Sequence, residues 1–314
     1  MRTMIRRLGI IAVTSICIGT VMSCSSDNVD QDENPKEYKA TITSVLEYAP
    51  AFGQFVNKLP VYEAGDTVES MRVKAEKALQ NNEVITLGGF GGYVVFGFDH
   101  TIDNVAGKRD FQILGNAFAN NAEPGIIWVA YDANKNGIPD EDEWYEIAGS
   151  EHDKAVLGYE ITYYRPTKVA DESLEEIEQY IQWSDNKGNR GWKKKNTFHN
   201  QSYYPQWIQA ETLTFKGTLL PDNAVQTGDS ENSWQLKTLA WGYADNYPNR
   251  QEGSKIDIDW AVDHKGNKAN LPGVDFIKIY TGLNQEAGKL GETSTEVAGA
   301  IDLHIEEQKS KTLK

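Results

Sequence analysis

Oxygen-bearing side chains occur at nearly every second position of the stretch DANKNGIPDEDEW, from Asp132 to Trp144. An EF-hand-type calcium loop has oxygen ligands at places one, three, five, nine and twelve, a backbone carbonyl ligand at place seven and a glycine at place six for its sharp turn. Gly137 stands at place six of this stretch. The predicted calcium ligands are Asp132, Asn134, Asn136, Ile138, Asp140 and Glu143.

This calcium loop lies between two strand-like segments, GIIWVAY and WYEIAGS, so it connects strands rather than helices. It resembles loops of secreted proteins in which calcium orders a polar connection. Asn136 stands where an acidic ligand is usual, which lowers the expected affinity, although the calcium outside cells fills weak sites. The alternative is an acidic turn that binds only water. We predict a structural calcium ion without a catalytic role.

The sequence contains no recognisable catalytic constellation. None of the five histidines has the spacing of a zinc-ligand pair, and no cysteine follows Cys24. Ser150 lies near His152, but the G-x-S-x-G turn of a serine hydrolase is absent. The run GGFGG at 88–92 lacks the lysine and the helix of a phosphate loop, so we expect its glycines to permit close packing. The chain is therefore predicted not to be an enzyme.

Aromatic residues are concentrated in two polar, turn-rich segments, at 183–207 and 241–247. Flat rings beside amide and cationic side chains suit a large, partly apolar ligand that is bound without chemistry. The alternative is that these rings close the ends of a β-sandwich, because buried aromatics with a polar group are common. The predicted ligand-binding residues are Trp192, His199, Asn200, Tyr203, Tyr204, Trp207, Trp241, Tyr243 and Tyr247.

The N-terminus has the features of a lipoprotein signal. Arg2, Arg6 and Arg7 precede an apolar run that is too short to span a bilayer comfortably, and VMSC resembles the site at which a lipoprotein signal peptidase cleaves. Residues 1–23 are the predicted signal peptide, and Cys24 is the predicted lipidated residue. The alternative is an ordinary signal peptide that contains a cysteine by chance.

The segment 24–39 is polar and acidic, which predicts a flexible tether. It resembles the surface-export signal of Bacteroidetes lipoproteins, so we expect an outer-membrane protein that is lipid-anchored and faces the cell exterior. The net charge of −15 argues against nucleic acid or an anionic membrane surface as a partner. Contact with the membrane is expected only through the lipid anchor.

Residues 40–314 are predicted to form one β-sandwich region that binds the ligand. Short alternating segments such as YVVFGF and YEITYY recur between glycine-rich turns, a pattern typical of strands. They predict a mainly β fold, an antiparallel jelly-roll-like β-sandwich. Two short helices are predicted, at 69–80 from the helical spacing of apolar residues and at 171–180 as an insertion between strands.

Several strings, taken in order, resemble a family of bacterial cell-surface proteins. Its Bacteroidetes members are lipoproteins, several of them encoded beside TonB-dependent cobalamin transporters. The resemblance implies a protein that binds cobalamin or a related corrinoid and delivers it to a TonB-dependent outer-membrane transporter, without identifying the residues that contact the ligand. The strings cover most of 41–304 and are GGFGGYVVFGFDHTI, DFQILGNAF, AEPGIIWVAYD, WYEIAGSEH, YEITYYRP, FHNQSYYP and VDFIKIYTGLN.

Two other functions remain open at the level of sequence. A carbohydrate-binding surface lipoprotein of a glycan-uptake system is one, because jelly-roll sandwiches with exposed tryptophan and calcium commonly bind glycans; this similarity is one of architecture alone. A calcium-dependent hydrolase is the other, and no nucleophile or acid–base pair favours it.

Overall fold

Strands make up most of the regular structure, as the alternation of apolar and polar side chains predicts. The computed structural model describes residues 37–167, 178–196, 198–230 and 233–305. The predicted signal peptide, Cys24 and most of the predicted tether lie outside these residues. The described residues from Tyr38 onwards belong to one compact unit. No helix within the described ranges is long and apolar enough to cross a bilayer.

The described elements comprise one α-helix, several single-turn 3-10 helices and many short strands. The helix α1 is Val68–Gln80. The strands are β1 (Ser44–Ala49), β2 (Ile85–Thr86), β3 (Tyr93–Asp103), β4 (Phe111–Leu114), β5 (Gly125–Ala130), β6 (Trp144–Ile147), β7 (Val156–Tyr164), β8 (Ile181–Asp185), β9 (Arg190–Lys193), β10 (Thr212–Leu219), β11 (Ala224–Gln226), β12 (Trp234–Leu236), β13 (Lys255–Ile256), β14 (Ala261–Val262), β15 (Gly273–Thr281), β16 (Glu296–Val297) and β17 (Gly299–Asp302).

The largest sheet has six antiparallel strands in the order β1-β3-β15-β5-β6-β14. Strand β15 pairs with β3 on one side and with β5 on the other, so the C-terminal part of the chain is inserted between earlier strands. Long-range pairing of this kind unites distant segments in one core. Strand β3 carries a register shift against each of its two neighbours, which bends the sheet.

A second sheet of four antiparallel strands has the order β10-β7-β8-β9. Smaller sheets are β13-β4-β17, β11-β12 and β16-β2. The two larger sheets make contact through the GGFGG run: a Cβ on Gly91, where φ is +84°, would lie 2.2 Å from the Cβ of Phe215 in β10. The predicted fold class, a mainly β antiparallel sandwich, is confirmed, and the glycines of this run permit the close packing that was expected of them.

Helix α1 confirms the prediction at 69–80. A capping box begins it, in which the Thr67 side chain accepts from the Ser70 backbone and the Ser70 side chain accepts from the Thr67 backbone. Its buried face consists of Met71, Ala75, Ala78 and Leu79, the residues whose spacing predicted the helix. Most of the second predicted helix, 171–180, lies outside the described residues.

The core consists of three apolar clusters. The largest joins α1, the six-stranded sheet and the β13-β4-β17 sheet. The second lies between the four-stranded sheet and residues such as Phe52, Phe90 and Tyr203. The third is built around Tyr243 and Tyr280. Aromatic residues therefore support the interior of the sandwich as well as its surface.

Candidate functional site

A cleft with a volume of about 360 Å³ opens at one end of the four-stranded sheet. In an antiparallel sheet the end of one strand lies beside the start of the next, so the end of β7, the start of β8 and the end of β9 meet at one edge. The loop after β9 and Tyr62 complete the walls. The residues that line the cleft are Tyr62, Arg165, Pro166, Tyr180, Lys195, Asn200, Ser202, Tyr204 and Gln206.

Tyr204 and Arg165 form one wall of this cleft. The guanidinium carbon of Arg165 lies 4.4 Å from the centroid of the Tyr204 ring, a cation–π arrangement. Both side chains are fixed from behind, because the Tyr204 hydroxyl donates to the Ala210 carbonyl at 2.8 Å and Arg165 donates to the carbonyls of Ile208 and Ala210. The wall therefore carries a rigidly held positive charge that rests on a buried tyrosine ring.

Lys195 supplies a second positive charge to the same cleft. Its residue is 7 % exposed, and its Nζ donates to the Asn200 carbonyl at 2.9 Å. The ammonium lies 5.2 Å from the centroid of the Tyr180 ring. Burial lowers the pKa of Lys195 because the charged form loses hydration. Within the described part of the chain no carboxylate lies within ion-pair distance of this ammonium.

Asn57 holds the loop that supplies the amide and hydroxyl groups of the cleft. Its Nδ2 donates to the carbonyls of Ser202 at 2.8 Å and Tyr204 at 3.1 Å, and its Oδ1 accepts from the Gln206 backbone N–H at 2.9 Å. Because one buried amide satisfies three backbone groups of the loop, the positions of Ser202, Tyr204 and Gln206 are coupled to the segment that precedes α1.

The structure brings only part of the predicted aromatic group to this cleft. Asn200 and Tyr204 line it. Trp192 is 43 % exposed in β9, and His199 packs its ring against Phe55 at 4.8 Å. Tyr203 is 0 % exposed. Trp207 is also buried, where its ring stacks at 6.1 Å from Tyr48 and 6.2 Å from Tyr62. Tyr203 and Trp207 therefore occupy packing positions behind the cleft.

The other predicted aromatic group lies apart from the cleft. Trp241 is 39 % exposed and lies 4.6 Å from the Trp260 ring, over which Arg109 places its guanidinium carbon at 4.3 Å. Tyr243 is buried, and its hydroxyl accepts from the Glu151 N–H at 2.8 Å. Tyr247 donates its hydroxyl to the Ala240 carbonyl. Among the residues described, no hydrogen bond or ring contact connects this group with the cleft.

The sequence did not single out Arg165, Lys195, Tyr180, Tyr62, Ser202 or Gln206 as site residues. Their common feature is position at the ends of paired strands or in the neighbouring loop. Arg165 and Lys195 could have been found from the sequence, because each cation follows a strand-like segment, in YEITYYRP and in WKKKN.

Side chains of the predicted calcium loop accept hydrogen bonds from its own backbone. Asp132 accepts through Oδ1 from the Asn136 N–H at 3.0 Å and through Oδ2 from the Gly137 N–H at 2.8 Å. Gly137 has a φ of +81°, which permits the sharp turn at place six. Glu143 at place twelve folds back, where its two carboxylate oxygens accept from the N–H groups of Ala133 and Asp140.

Three predicted calcium ligands converge on one point of this loop. The side-chain amides of Asn134 and Asn136 both donate to Oδ2 of Asp140, at 2.6 and 2.9 Å. The side-chain oxygens of the two asparagines accept from the backbone N–H groups of Asn136 and Ile138, at 2.9 Å each. Three oxygen-bearing side chains thus lie together, and a calcium ion bound there would take their oxygens as ligands. The donor set fits calcium, and the carbonyl of Ile138 would complete it.

A separate group of carboxylates is largely buried. One carboxylate oxygen from each of Glu123, Asp245 and Glu296 lies within 4.8 Å of the others, the only such group of three found among the described residues. Burial raises the pKa of Glu123 to about 8, and the charge of Asp245 adds to this effect. Burial also raises the pKa values of Asp245 and Glu296.

Backbone donors distinguish Asp245 from the two glutamates. It accepts from the N–H groups of Asn116 at 3.0 Å, Ala117 at 2.9 Å and Glu296 at 3.0 Å. Three N–H donors favour the charged carboxylate, so protons of this cluster are best accommodated on Glu123 and Glu296. The cluster can hold either protons or a cation. It joins loops that lie far apart in the chain.

His152, which lies near Ser150 in the sequence, has a carboxylate partner. His152 Nδ1 lies 3.0 Å from Glu146 Oε1, whereas the hydroxyl of Ser150 accepts from the Ala240 N–H. The Glu146 carboxylate raises the pKa of His152. Ser150 and His152 therefore do not form a nucleophile–base pair in this arrangement.

Comparison with known proteins assigns no relative to the chain. No family model matches the sequence, and no curated protein is significantly similar to it.

Proposed function

We propose that this protein is a non-enzymatic, surface-displayed lipoprotein that binds cobalamin or a related corrinoid and delivers it to a TonB-dependent outer-membrane transporter. The resemblance of the ordered strings supports this proposal, as does the lipoprotein-like N-terminus with its acidic tether. The observation that carries it is the cleft, in which tyrosine faces lie beside amide, hydroxyl and cationic groups. A corrinoid presents the complementary features, an apolar macrocycle with amide-bearing arms.

The size of the cleft defines how much of such a ligand it can hold. Small-molecule sites have volumes of about 300–1,000 Å³, and the cleft is at the lower end with about 360 Å³. A complete corrinoid is larger than this volume, so one arm would enter and the macrocycle would lie across the rim. We propose the rings of Trp192 and Phe198 for that contact, because both are exposed and they precede and follow Lys195 in the chain.

Equilibrium titration of the full chain with cyanocobalamin tests the proposal. We expect saturable binding with a stoichiometry of one, and competition by other corrinoids. Because the carbohydrate hypothesis predicts binding of neutral or acidic glycans, the same protein should be titrated with a glycan panel. Binding of glycans without binding of cyanocobalamin would contradict the corrinoid proposal.

One observation favours glycan binding as a second candidate. The exposed Trp241 ring, supported by Trp260 and Arg109, forms a fixed aromatic platform at the surface. Sugar rings pack on such platforms through their C–H faces. The two candidates therefore use different surfaces, and a Trp241→Ala variant would weaken glycan binding while leaving corrinoid binding at the cleft unchanged.

We also propose that the calcium loop binds a structural calcium ion. Convergence of the side chains at places three, five and nine on a common point supports this proposal. The loop connects β5 and β6 of the six-stranded sheet, and the Asp132 N–H donates to Asp275 of β15 at 2.8 Å. A bound ion would therefore stabilise the connection between β5 and β6 and its contact with β15, and take no part in ligand chemistry.

A further inference from the structure

The cleft at the end of the four-stranded sheet has a charge opposite to that of the protein. The chain has a net charge of −15, with 46 acidic and 31 basic residues. Both charged residues that line the cleft, Arg165 and Lys195, are nonetheless cationic. A positive concavity in an acidic protein attracts an anionic group and disfavours a cationic one.

The hydrogen bonds of Lys195 leave room for such an anion. An ammonium has three N–H donors, and a single acceptor, the Asn200 carbonyl, is found for Lys195 in the part of the chain that the structure describes. A buried charge without a counter-ion is unfavourable, because the loss of hydration is not compensated. An oxyanion that enters the cleft would supply both the missing acceptors and the missing charge.

Arg165 can also donate a hydrogen bond to a ligand in this cleft. Its Nε and Nη2 donate to backbone carbonyls, whereas Nη1 has no hydrogen-bond partner among the described residues. The nearest carboxylate, that of Glu211, lies 3.9 Å from Nε and its side chain is 82 % exposed, so water screens it. The guanidinium is held rigidly over Tyr204, so Nη1 is available for a ligand with little further loss of entropy.

We infer that the cleft is an oxyanion subsite, in which Lys195 and Arg165 bind the phosphodiester of a nucleotide-bearing corrinoid. This inference rests on the proposed function and adds to it the part of the ligand that enters the cleft. The amides of Asn200 and Gln206 and the hydroxyl of Ser202 lie beside the two cations, where the ribose and amide groups next to the phosphodiester need partners. The same chemistry fits the carboxylate of an acidic sugar, which the experiment separates.

The experiment compares cyanocobalamin with cobinamide, a corrinoid that lacks the nucleotide and its phosphodiester. The full chain is titrated with both, as are the variants Lys195→Met, which preserves the length of the side chain without its charge, and Lys195→Arg, which retains the charge. Lys194→Met is the matched control, because the Lys194 side chain is 56 % exposed and paired with Glu178.

We expect the parent to bind cyanocobalamin more tightly than cobinamide. Loss of a charge-assisted contact in Lys195→Met should weaken cyanocobalamin binding about tenfold or more, and cobinamide binding should change little. Lys195→Arg should recover part of the affinity, and Lys194→Met should match the parent. Salt should weaken cyanocobalamin binding more in the parent than in Lys195→Met.

Each of the other outcomes overturns a different statement. Equal affinity of the parent for the two corrinoids, together with unchanged cyanocobalamin binding by Lys195→Met, overturns the oxyanion subsite and leaves corrinoid binding intact. Binding of neither corrinoid overturns the proposed function. In that case the protein is titrated next with galacturonate and with galactose. A preference for galacturonate that depends on Lys195 supports an oxyanion subsite for an acidic sugar. Equal binding of the two sugars, or binding of neither, overturns the subsite as well.

Discussion

Tyr204 combines a packing role with a position in the cleft, and two substitutions separate these roles. Its ring faces Arg165, and its hydroxyl donates to the Ala210 carbonyl. Tyr204→Phe keeps the ring and removes one hydrogen bond, so we expect a loss of about 1 kcal/mol in the free energy of unfolding. Cyanocobalamin affinity should stay the same. Urea denaturation and titration measure the two quantities.

Tyr204→Ala is the matched disruptive change. Removal of a buried aromatic ring costs about 3–5 kcal/mol of stability, and it also releases Arg165 from its aromatic support. We therefore expect weaker cyanocobalamin binding in any fraction that remains folded. Unchanged affinity in folded Tyr204→Ala would show that the ring does not contribute to the site.

Glu292 makes stability depend on pH. Its residue is 4 % exposed, and Oε1 accepts from the Gln54 N–H at 2.5 Å. Oε2 has no hydrogen-bond partner among the residues that the structure describes. Burial raises its pKa to about 8. Between the ordinary pKa of a glutamate and pH 8, Glu292 therefore keeps its proton in the folded protein and loses it in the unfolded chain. The stability that this residue contributes at low pH is lost as the pH rises towards 8.

Glu292→Gln tests this dependence because it removes the titration and keeps the shape. We expect the free energy of unfolding of the parent to fall from pH 5 to pH 8, with Glu292 contributing about 1 kcal/mol or more. The variant should show a smaller fall and be the more stable protein at pH 8. Urea denaturation with a chelator present provides the measurement, and Glu252→Gln, whose side chain is 81 % exposed, is the control. Equal slopes in parent and Glu292→Gln would contradict the account.

At the scale of single residues, composition and local context predicted the site only in part. Asn200 and Tyr204 line the cleft as expected. Both Tyr203 and Tyr204 are nonetheless buried, although polar turn residues tend to stay near the surface. A turn does not keep to one alternation of faces, so its sequence does not reveal which ring turns inwards. Arg165 and Lys195 are brought together by strand pairing that no local pattern encodes.

The calcium loop is the element whose behaviour is easiest to isolate. Saturating calcium should raise the free energy of unfolding of the parent by about 1–3 kcal/mol, as expected for an ion that binds the folded state alone. The double variant Asp132→Asn with Glu143→Gln should gain nothing from calcium and lose nothing to a chelator. Thermal denaturation with and without calcium measures the difference.

Asp263→Asn is the control for this element. Asp263 also closes a polar turn, where it accepts from the N–H groups of Lys265 and Asn267, but it belongs to a different hairpin. We expect it to retain the full response to calcium. A melting curve of the parent that does not change with calcium would leave the loop as an acidic turn that binds only water.

Elements with a local cause were predictable from the sequence. Helix α1 has apolar residues at helical spacing and a cap within one turn, both visible in ESMRVKAEKALQ and the threonine before it. The strand character of β3, β5 and β7 follows from their alternation. The order of strands in the sheets did not follow, because the insertion of β15 between β3 and β5 depends on contacts between segments more than a hundred residues apart.

The whole molecule is expected to be attached to the membrane at one residue. Cys24 lies outside the described residues, and its role follows from the VMSC string alone. Cys24→Ala should release the protein from the membrane fraction and abolish its labelling at the cell surface, because no other segment is proposed to hold it there. Cell fractionation and surface labelling test this. Membrane association of Cys24→Ala at the level of the parent would refute the lipid anchor.

The acidic net charge bears on where the whole molecule can lie, whereas the positive cleft bears on which ligand it can bind. A net charge of −15 disfavours association of the protein with anionic lipid surfaces, which is compatible with the proposed tether. The cleft retains local attraction for an oxyanion, and salt screens the field of the rest of the protein beyond about 10 Å. Recognition is therefore expected to be set by residues of the cleft and its rim.

The central claim, that a corrinoid binds at the cleft, is tested most directly by hydrogen–deuterium exchange of the full chain with and without saturating cyanocobalamin. Backbone amides protected by the ligand identify the surface that it covers. The account predicts slower exchange in 198–206 and around Arg165, with little change at 241–260. Protection confined to 241–260, or no protection at a cyanocobalamin concentration that saturates any measured binding, would contradict it.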